Sequence, residues 1–383
     1  MFDDRWSRAK RVLCVRLDNL GDVLMTTPAM RALKQSYGEG HLTLLTSPAG
    51  AAAAAFIAEI DETIVYDAPW MKGSSVDSAN DSAALIALLR AKDFDAAVVF
   101  TVYSQSPLPA ALVCHMAGIP LRLAHCRENP YQLLTDWVRE SEPEKDLRHE
   151  VQRQLDLVAT VGAGTREQRL SFKVPQACRA WADQWLRQAG IAPGQAWIVL
   201  HPGASAPSRR YPVELWARVV EGIAAQLACP VILTGSGEEQ ALVEAIRRAS
   251  AATATSLAGL LELGQLGALI ERAPVLLCGN SGPAHIAAAL GTSVVDLYAL
   301  TNPQHTPWQT RSRVLFNDVP CRFCYRSVCP QQHHRCLREI APGRVVAAVG
   351  EMLSGTATLA ETGNVMKPLD PSPWRLADVH AGH

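Results

Sequence analysis

The feature that most constrains the fold is a unit that recurs along the chain. A short apolar run ends in a loop of glycine and small polar residues, and a longer segment with helical spacing follows. In the first half, residues 11–17 (RVLCVRL) form such a run, closed by Asp18 and Asn19. A β-rich run bounded by turn formers reads as a buried strand. A helix is predicted over 22–36, with apolar Val23, Leu24, Ala29, Met30 and Leu33 and a bend where Pro28 removes a backbone donor. A strand over 41–46, a helix over 82–92 and a strand over 96–100 continue the pattern. The second half repeats it. Predicted strands over 197–200, 230–234, 275–278 and 293–298 alternate with helices over 213–227, 239–249 and 283–290. Such alternation predicts an α/β fold built on parallel sheet.

A chain of 383 residues is long for one domain and suits two of about 150–200 residues. The expected division is 1–185, 186–354 and a tail, 355–383, laid back across the first domain. At 48% apolar residues, each half can bury a core. A formal net charge of −1 gives no basic bias, so nucleic acid is not an expected partner. No stretch approaches the roughly 20 apolar residues of a spanning helix. The polar start at Met1 lacks the apolar core of a signal peptide, so a cytoplasmic location is expected.

Ligands of open α/β sheets collect at the carboxyl ends of the strands, which is where the unusual residues fall. In the segment from Gly279 to His285, Asn280 or Ser281 can cap the following helix, and Pro283 suits its first turn. Glycine admits a ligand close to the backbone, and the free N–H groups favour an anion such as a diphosphate; the alternative is an ordinary capped helix. His201, Gly203 and Ser205 lie on a second loop of this kind, followed by Arg209 and Arg210. Either arginine can neutralise a phosphate, or the loop is a solvated basic one. In the first half, Asp18, Asn19, Gly21 and Asp22 lie on one strand-end loop. A carboxylate at a helix start is favoured in its ionised form and can accept a proton from an attacking hydroxyl; the alternative is a helix cap.

Cys14, Cys114, Cys126, Cys178, Cys229 and Cys278 are scattered and read mostly as small core residues. Cys321, Cys324, Cys329 and Cys336 lie within sixteen residues, beside His333 and His334. They suit a structural zinc or iron ion, or are reduced or disulfide-bonded loop cysteines.

Together these motifs resemble the family 9 glycosyltransferases, best known for the ADP-heptose:lipopolysaccharide heptosyltransferases, over roughly residues 11–350. The segment from Leu17 to Pro28 resembles the family's Gly-Asp motif and implies a general base at Asp22, with Asp18, Asn19 and Gly21 on the acceptor side. His201 to Ala204 and Arg209 to Pro212 resemble its donor-phosphate loop, and Gly235 to Glu238 resembles the loop whose glutamate contacts the ribose. Asn280, Ser281, Gly282, Pro283 and His285 resemble its Asp-(Thr/Ser)-Gly-Pro-x-His motif. Two departures stand out: Asn280 replaces the usual aspartate, and Arg209 the usual lysine. Asn keeps an acceptor but loses the charge.

The resemblance implies a GT-B fold, two Rossmann-like domains facing across a cleft, and an inverting reaction in which Arg209 and backbone N–H groups take the place of a metal ion. It implies an ADP-heptose donor, a lipopolysaccharide core or other glycan acceptor, and no required cofactor. Peripheral contact with the inner membrane is the matching expectation, through Trp6, Arg8, Lys10 and Arg11 or through Arg122 and Arg127. The rival expectations are a different nucleotide sugar and acceptor, or a nucleotide-sugar binder without transferase activity.

Overall fold

The computed structural model describes residues 4–37, 40–72, 79–143 and 147–355. It contains two six-stranded sheets in which every pairing is parallel. The first comprises β1 (Arg11–Arg16), β2 (His41–Thr46), β3 (Glu62–Val65), β4 (Ala96–Val99), β5 (Leu121–Cys126) and β6 (Asp136–Arg139), in the order β3-β2-β1-β4-β5-β6. The second comprises β7 (Ile198–His201), β8 (Val231–Leu233), β9 (Thr255–Ser256), β10 (Val275–Gly279), β11 (Ser293–Leu297) and β12 (Ser312–Leu315), in the order β12-β11-β10-β7-β8-β9.

Each order reverses direction once, between β1 and β4 and between β10 and β7. Such a reversal opens a crevice beyond the carboxyl ends of its strands, because the flanking connections leave to opposite sides. The Asp18–Asp22 loop follows β1, and the His201 and Asn280 loops follow β7 and β10. The three loops singled out from sequence thus sit at the two points where a parallel sheet offers a ligand site.

The Leu20–Ser36 helix anchors the first half. It starts two residues earlier than the sequence pattern suggests and runs through Pro28. Proline cannot donate to the carbonyl four residues back, that of Leu24. The Thr27 hydroxyl donates to that carbonyl instead (2.7 Å) and accepts from the backbone N–H of Ser171 (2.9 Å). The orphan left by proline is therefore satisfied locally.

The Glu150–Ala159 helix packs on Leu20–Ser36, while the Gln176–Gln188 helix packs on Leu263–Arg272 of the second half. Arg179 pairs there with Glu271 and Arg272 with Asp183. Residue 185, where a domain boundary was expected, lies inside this helix.

Several surface expectations change. Trp6 is fully buried in the main core and cannot face a membrane. Arg122 is buried, with its guanidinium on the carbonyls of Leu133 and Gln132, and Arg11 donates to the carbonyl of Lys92. No described helix is long and apolar enough to cross a membrane. Residues 356–383, the expected tail, lie outside the described residues.

Replacing Thr27 with Val leaves the Leu24 carbonyl and the Ser171 N–H unpaired. Urea unfolding should show a loss of about 1–3 kcal/mol with an unchanged m-value.

Candidate active site

The chemistry of the first loop begins with Arg16, the last residue of β1, which is completely buried. Three carboxylates surround it: Asp18 at 2.9 Å from Nε, Asp22 at 3.2 Å from Nη2 and Glu150 at 2.8 Å from Nη1. One cation cannot neutralise three anions, so the carboxylates divide according to their surroundings. Burial alone would push Glu150 up. Arg16, then Arg153, outweighs it, aided by a hydrogen bond from Gln154, and holds this carboxyl at about 2. Asp18 and Asp22 move the other way. Burial pushes Asp18 up to about 6, against the pull of Arg16 and a 2.7 Å hydrogen bond from Gln105. Burial likewise raises Asp22, opposed by Arg16 and, from the second half, Arg209.

The helix start thus does not dominate Asp22 as the sequence suggested; removal from water does. Asp22 lies in the first turn of the Leu20–Ser36 helix, whose N-cap, Asn19, makes no side-chain capping bond. Neither Asp18 nor Asp22 is spent as a cap. Asp22 keeps an exposed edge, 16% of its side chain, and a raised carboxyl pKa suits a group that must accept a proton near neutrality.

The second half meets this loop directly. A Cβ on Gly21 would lie 2.7 Å from His285 Cδ2, and one on Gly282 3.1 Å from Leu20 Cδ2. The Leu20–Ser36 and Gly282–Leu290 helices therefore start against each other, and two sets of free N–H groups face one space. Ser281 is the N-cap by position, yet its hydroxyl donates to the Gly279 carbonyl and accepts no capping bond from the helix. The helix N-terminus stays open. Pro283 occupies its first turn as expected. Asn280 is buried with its Oδ1 unpartnered, and burial lowers His285 to about 3, leaving a neutral ring with an unpartnered Nδ1.

Arg209 ends the short turn Pro207–Arg209. Its charge acts on Asp22, His285, Asp296 and His305, which places it at the centre of the cleft, and its Nε is buried without a partner. Arg210 is exposed, and its Nε donates to the Ala204 carbonyl at 2.8 Å. His201 is buried on Thr234 (3.1 Å), Gly203 is buried, and Ser205 is exposed at the loop's rim.

The glutamate expected at this loop, Glu238, is exposed. Its neighbour Glu239 turns toward the His201 loop. Its Oε2 accepts from the Ser236 N–H (2.8 Å) and lies 3.5 Å from His201 Nε2, and its side chain fills the space beside Gly203. The signal was available in the sequence: Ser236 and Glu239 have the spacing of a capping box. The sequence reading also missed Arg16, Glu150 and His305.

Cys321, Cys324, Cys329 and Cys336 are all free and line one cavity of about 20 Å³ together with Ser208, Thr301 and His333. Burial raises the thiols of Cys324 and Cys336. Among the described residues, no group of three or more His, Cys, Asp or Glu is arranged to hold a metal ion. The loop that bears these cysteines supports the Arg209 turn, since Ser208 donates to the carbonyls of Ser327 (2.9 Å) and Arg326 (2.8 Å).

Two parallel sheets whose switch points share one cleft, with a carboxylate on one wall and a cation with open helix N–H groups on the other, define a GT-B glycosyltransferase. Comparison with known proteins agrees. The sequence profile of glycosyltransferase family 9 (heptosyltransferase) matches residues 82–334, and the chain belongs to that family. It is 23% identical to lipopolysaccharide heptosyltransferase 3 of Escherichia coli, over 88% of this chain and 98% of that one. Its fold is similar to a glycosyl transferase family 9 structure from Veillonella parvula (TM-score 0.76, 21% identity, 90% of this chain and 98% of that). It also resembles E. coli ADP-heptose lps heptosyltransferase II (TM-score 0.69, 22% identity, 91% and 100%).

Two measurements test this geometry. Glu150 is depressed in the folded state, so it stabilises the protein fully above its usual 4.5, and that contribution is lost as pH falls toward about 2. Glu150→Gln should lower stability at pH 7 by about 3 kcal/mol and flatten the acid limb of the stability curve between those values. Gly21→Ala should leave the fold standing but drive the two helix starts apart, lowering kcat/KM at least tenfold in a transfer assay.

Proposed function

We propose that this glycosyltransferase moves a heptose from ADP-heptose to a hydroxyl of a lipopolysaccharide core or related glycan, with inversion. The observation that carries the reading is the contact of Gly21 with His285, which sets Asp22 opposite the open N-terminus of the Gly282–Leu290 helix and Arg209. The first half, in this reading, receives the acceptor and the second half the donor. The names of the lipopolysaccharide heptosyltransferases that the chain resembles support the substrates.

Asp22 accepts the proton of the acceptor hydroxyl as its oxygen attacks the anomeric carbon, on the face opposite the diphosphate. The bond from that carbon to the diphosphate oxygen breaks, and the diphosphate leaves with the electron pair. Arg209 and the N–H groups around Ser281 and Gly282 stabilise the charge that develops there, so the step needs no metal ion at the diphosphate. Asn280 supplies its buried Oδ1 to a donor hydroxyl. The acceptor's chemistry puts the reaction on the cytoplasmic face of the inner membrane. A metal held by the four cysteines would be structural, since four thiolates close a coordination sphere.

Asn280 favours one second reading, a nucleotide-sugar binder without transfer. The readings separate in two experiments. ADP and ADP-heptose should raise the melting temperature more than UDP or GDP, and Arg209→Ala should abolish the response; a preference for another base removes ADP-heptose as donor. Asp22→Asn should bind ADP-heptose normally while kcat falls by about 10²–10⁴, with EDTA without effect. Binding without turnover in the wild type would establish the second reading.

A further inference from the structure

The segment from Leu300 to Trp308 follows β11 and belongs to the second half, yet it is stitched to the first. The Gln304 carbonyl accepts from the Glu150 N–H (3.1 Å), and Gln304 Nε2 donates to Glu142 (3.0 Å). His149 Nε2 donates to the Thr306 carbonyl (2.9 Å), and Trp308 Nε1 donates to the carbonyl of Gln168 (2.8 Å). Four hydrogen bonds across the two halves fix this strap beside the Arg16 cluster. They also fix His305, whose Nε2 is buried.

The tautomer of His305 follows from its neighbours. The Asn302 Oδ1 accepts from the Gln304 N–H at 3.0 Å, so the amide is oriented with Nδ2 toward His305 Nδ1, 3.2 Å away. An amide NH₂ only donates, so Nδ1 is the acceptor and, in the neutral ring, Nε2 carries the proton. Burial and the nearby arginines lower His305 to about 3, in keeping with a neutral ring. The Nε2–H is thus a buried donor without a partner. Leaving such a group unpaired is unfavourable, and a ligand acceptor would remove the penalty. The groups whose charges act on it are Glu150, Arg209, Arg16 and His149. Arg16 is already engaged by three carboxylates, which leaves Arg209 as the cation with unspent capacity on this side of the cleft.

We propose that His305 is a donor-binding residue: its Nε2–H, aimed by Asn302, shares a diphosphate oxygen of the nucleotide sugar with Arg209. The assignment rests on the function proposed above and adds a ligand that the family motifs of this chain do not include.

Isothermal titration of the full chain with ADP and with AMP tests this. His305→Ala should weaken ADP at least tenfold and change AMP less than threefold, since the lost contact is to the diphosphate. His305→Gln, which can return an N–H near the Nε2 position, should recover most of the ADP affinity. His305→Phe keeps the ring without the donor and should behave as Ala does, which covers the case of an Ala variant that fails to fold. Equal loss of ADP and AMP, or no recovery with Gln, would mark a purely structural residue and overturn the proposal. So would unchanged ADP affinity in the Phe variant, as expected if His305 instead pairs with the open Oε2 of Glu150. In each of those cases an ADP response lost in Arg209→Ala leaves the transferase reading intact. A wild-type chain that binds no nucleoside diphosphate defeats that reading and this one together.

Discussion

The site depends on one buried guanidinium. Arg16 stands at the end of a central strand with three carboxylates around it and no access to water. Taking a cation out of water is unfavourable unless opposite charges and hydrogen bonds replace the solvent, and here they do so in excess. Glu150, itself buried on the Glu150–Ala159 helix, takes the deepest share and stays ionised. What remains of the positive charge is divided between Asp18 and Asp22. Neither is held as firmly anionic as a surface carboxylate would be. The arrangement fixes the position of Asp22 while leaving its proton affinity high, the combination a general base requires.

The same residue ties the halves together. Glu150 bonds to both sides: its carboxylate accepts from Arg16 of the first sheet, and its N–H donates to the Gln304 carbonyl of the strap that follows β11. Close approach of the Leu20–Ser36 and Gly282–Leu290 helices requires small residues at both starts. Gly21 and Gly282 supply them, each with a neighbour too near for an ordinary side chain. The cleft is therefore a place where a charge cluster, two helix N-termini and an arginine on a supported turn converge. Unpartnered buried atoms on Asn280, His285, Arg209 and His305 are on the second-half wall, and Oε2 of Glu150 is open on the other. The second-half wall is unfinished without a ligand.

Two kinds of residue carried different amounts of information. The central strands were legible because both faces of a parallel sheet are covered, so RVLCVRL, AAVVF and VLLCG read as apolar runs. The edges were not. β6 (DWVR) alternates between partly buried and exposed, and β9 has two residues. Inside the sheet, β5 is hard to read as well, because it carries Arg122 and His125 in a fully buried strand. Arg122 is tolerated there because its guanidinium lies on backbone carbonyls, a pairing no local pattern announces. Trp6, which looks interfacial in sequence, is a core residue because the main apolar cluster closes over it.

By itself, the sequence determined the alternation of strands and helices, the glycines and prolines that shape the strand-end loops, and the carboxylate, arginine and histidine on them. These are local properties, set by side-chain period and turn chemistry over a few residues. Only the tertiary structure decided how adjacent residues of one type differ in placement. Glu239 turns toward His201 through its capping bond to Ser236 while Glu238 stays exposed, and Arg209 has a buried, unpartnered Nε while that of Arg210 lies on the Ala204 carbonyl. It also decided the protonation tendencies of Asp18, Asp22 and Glu150. Those follow from burial and from charges far away in the chain, Arg16 on Glu150 and Arg209 on Asp22 among them, and such distances have no trace in a local pattern.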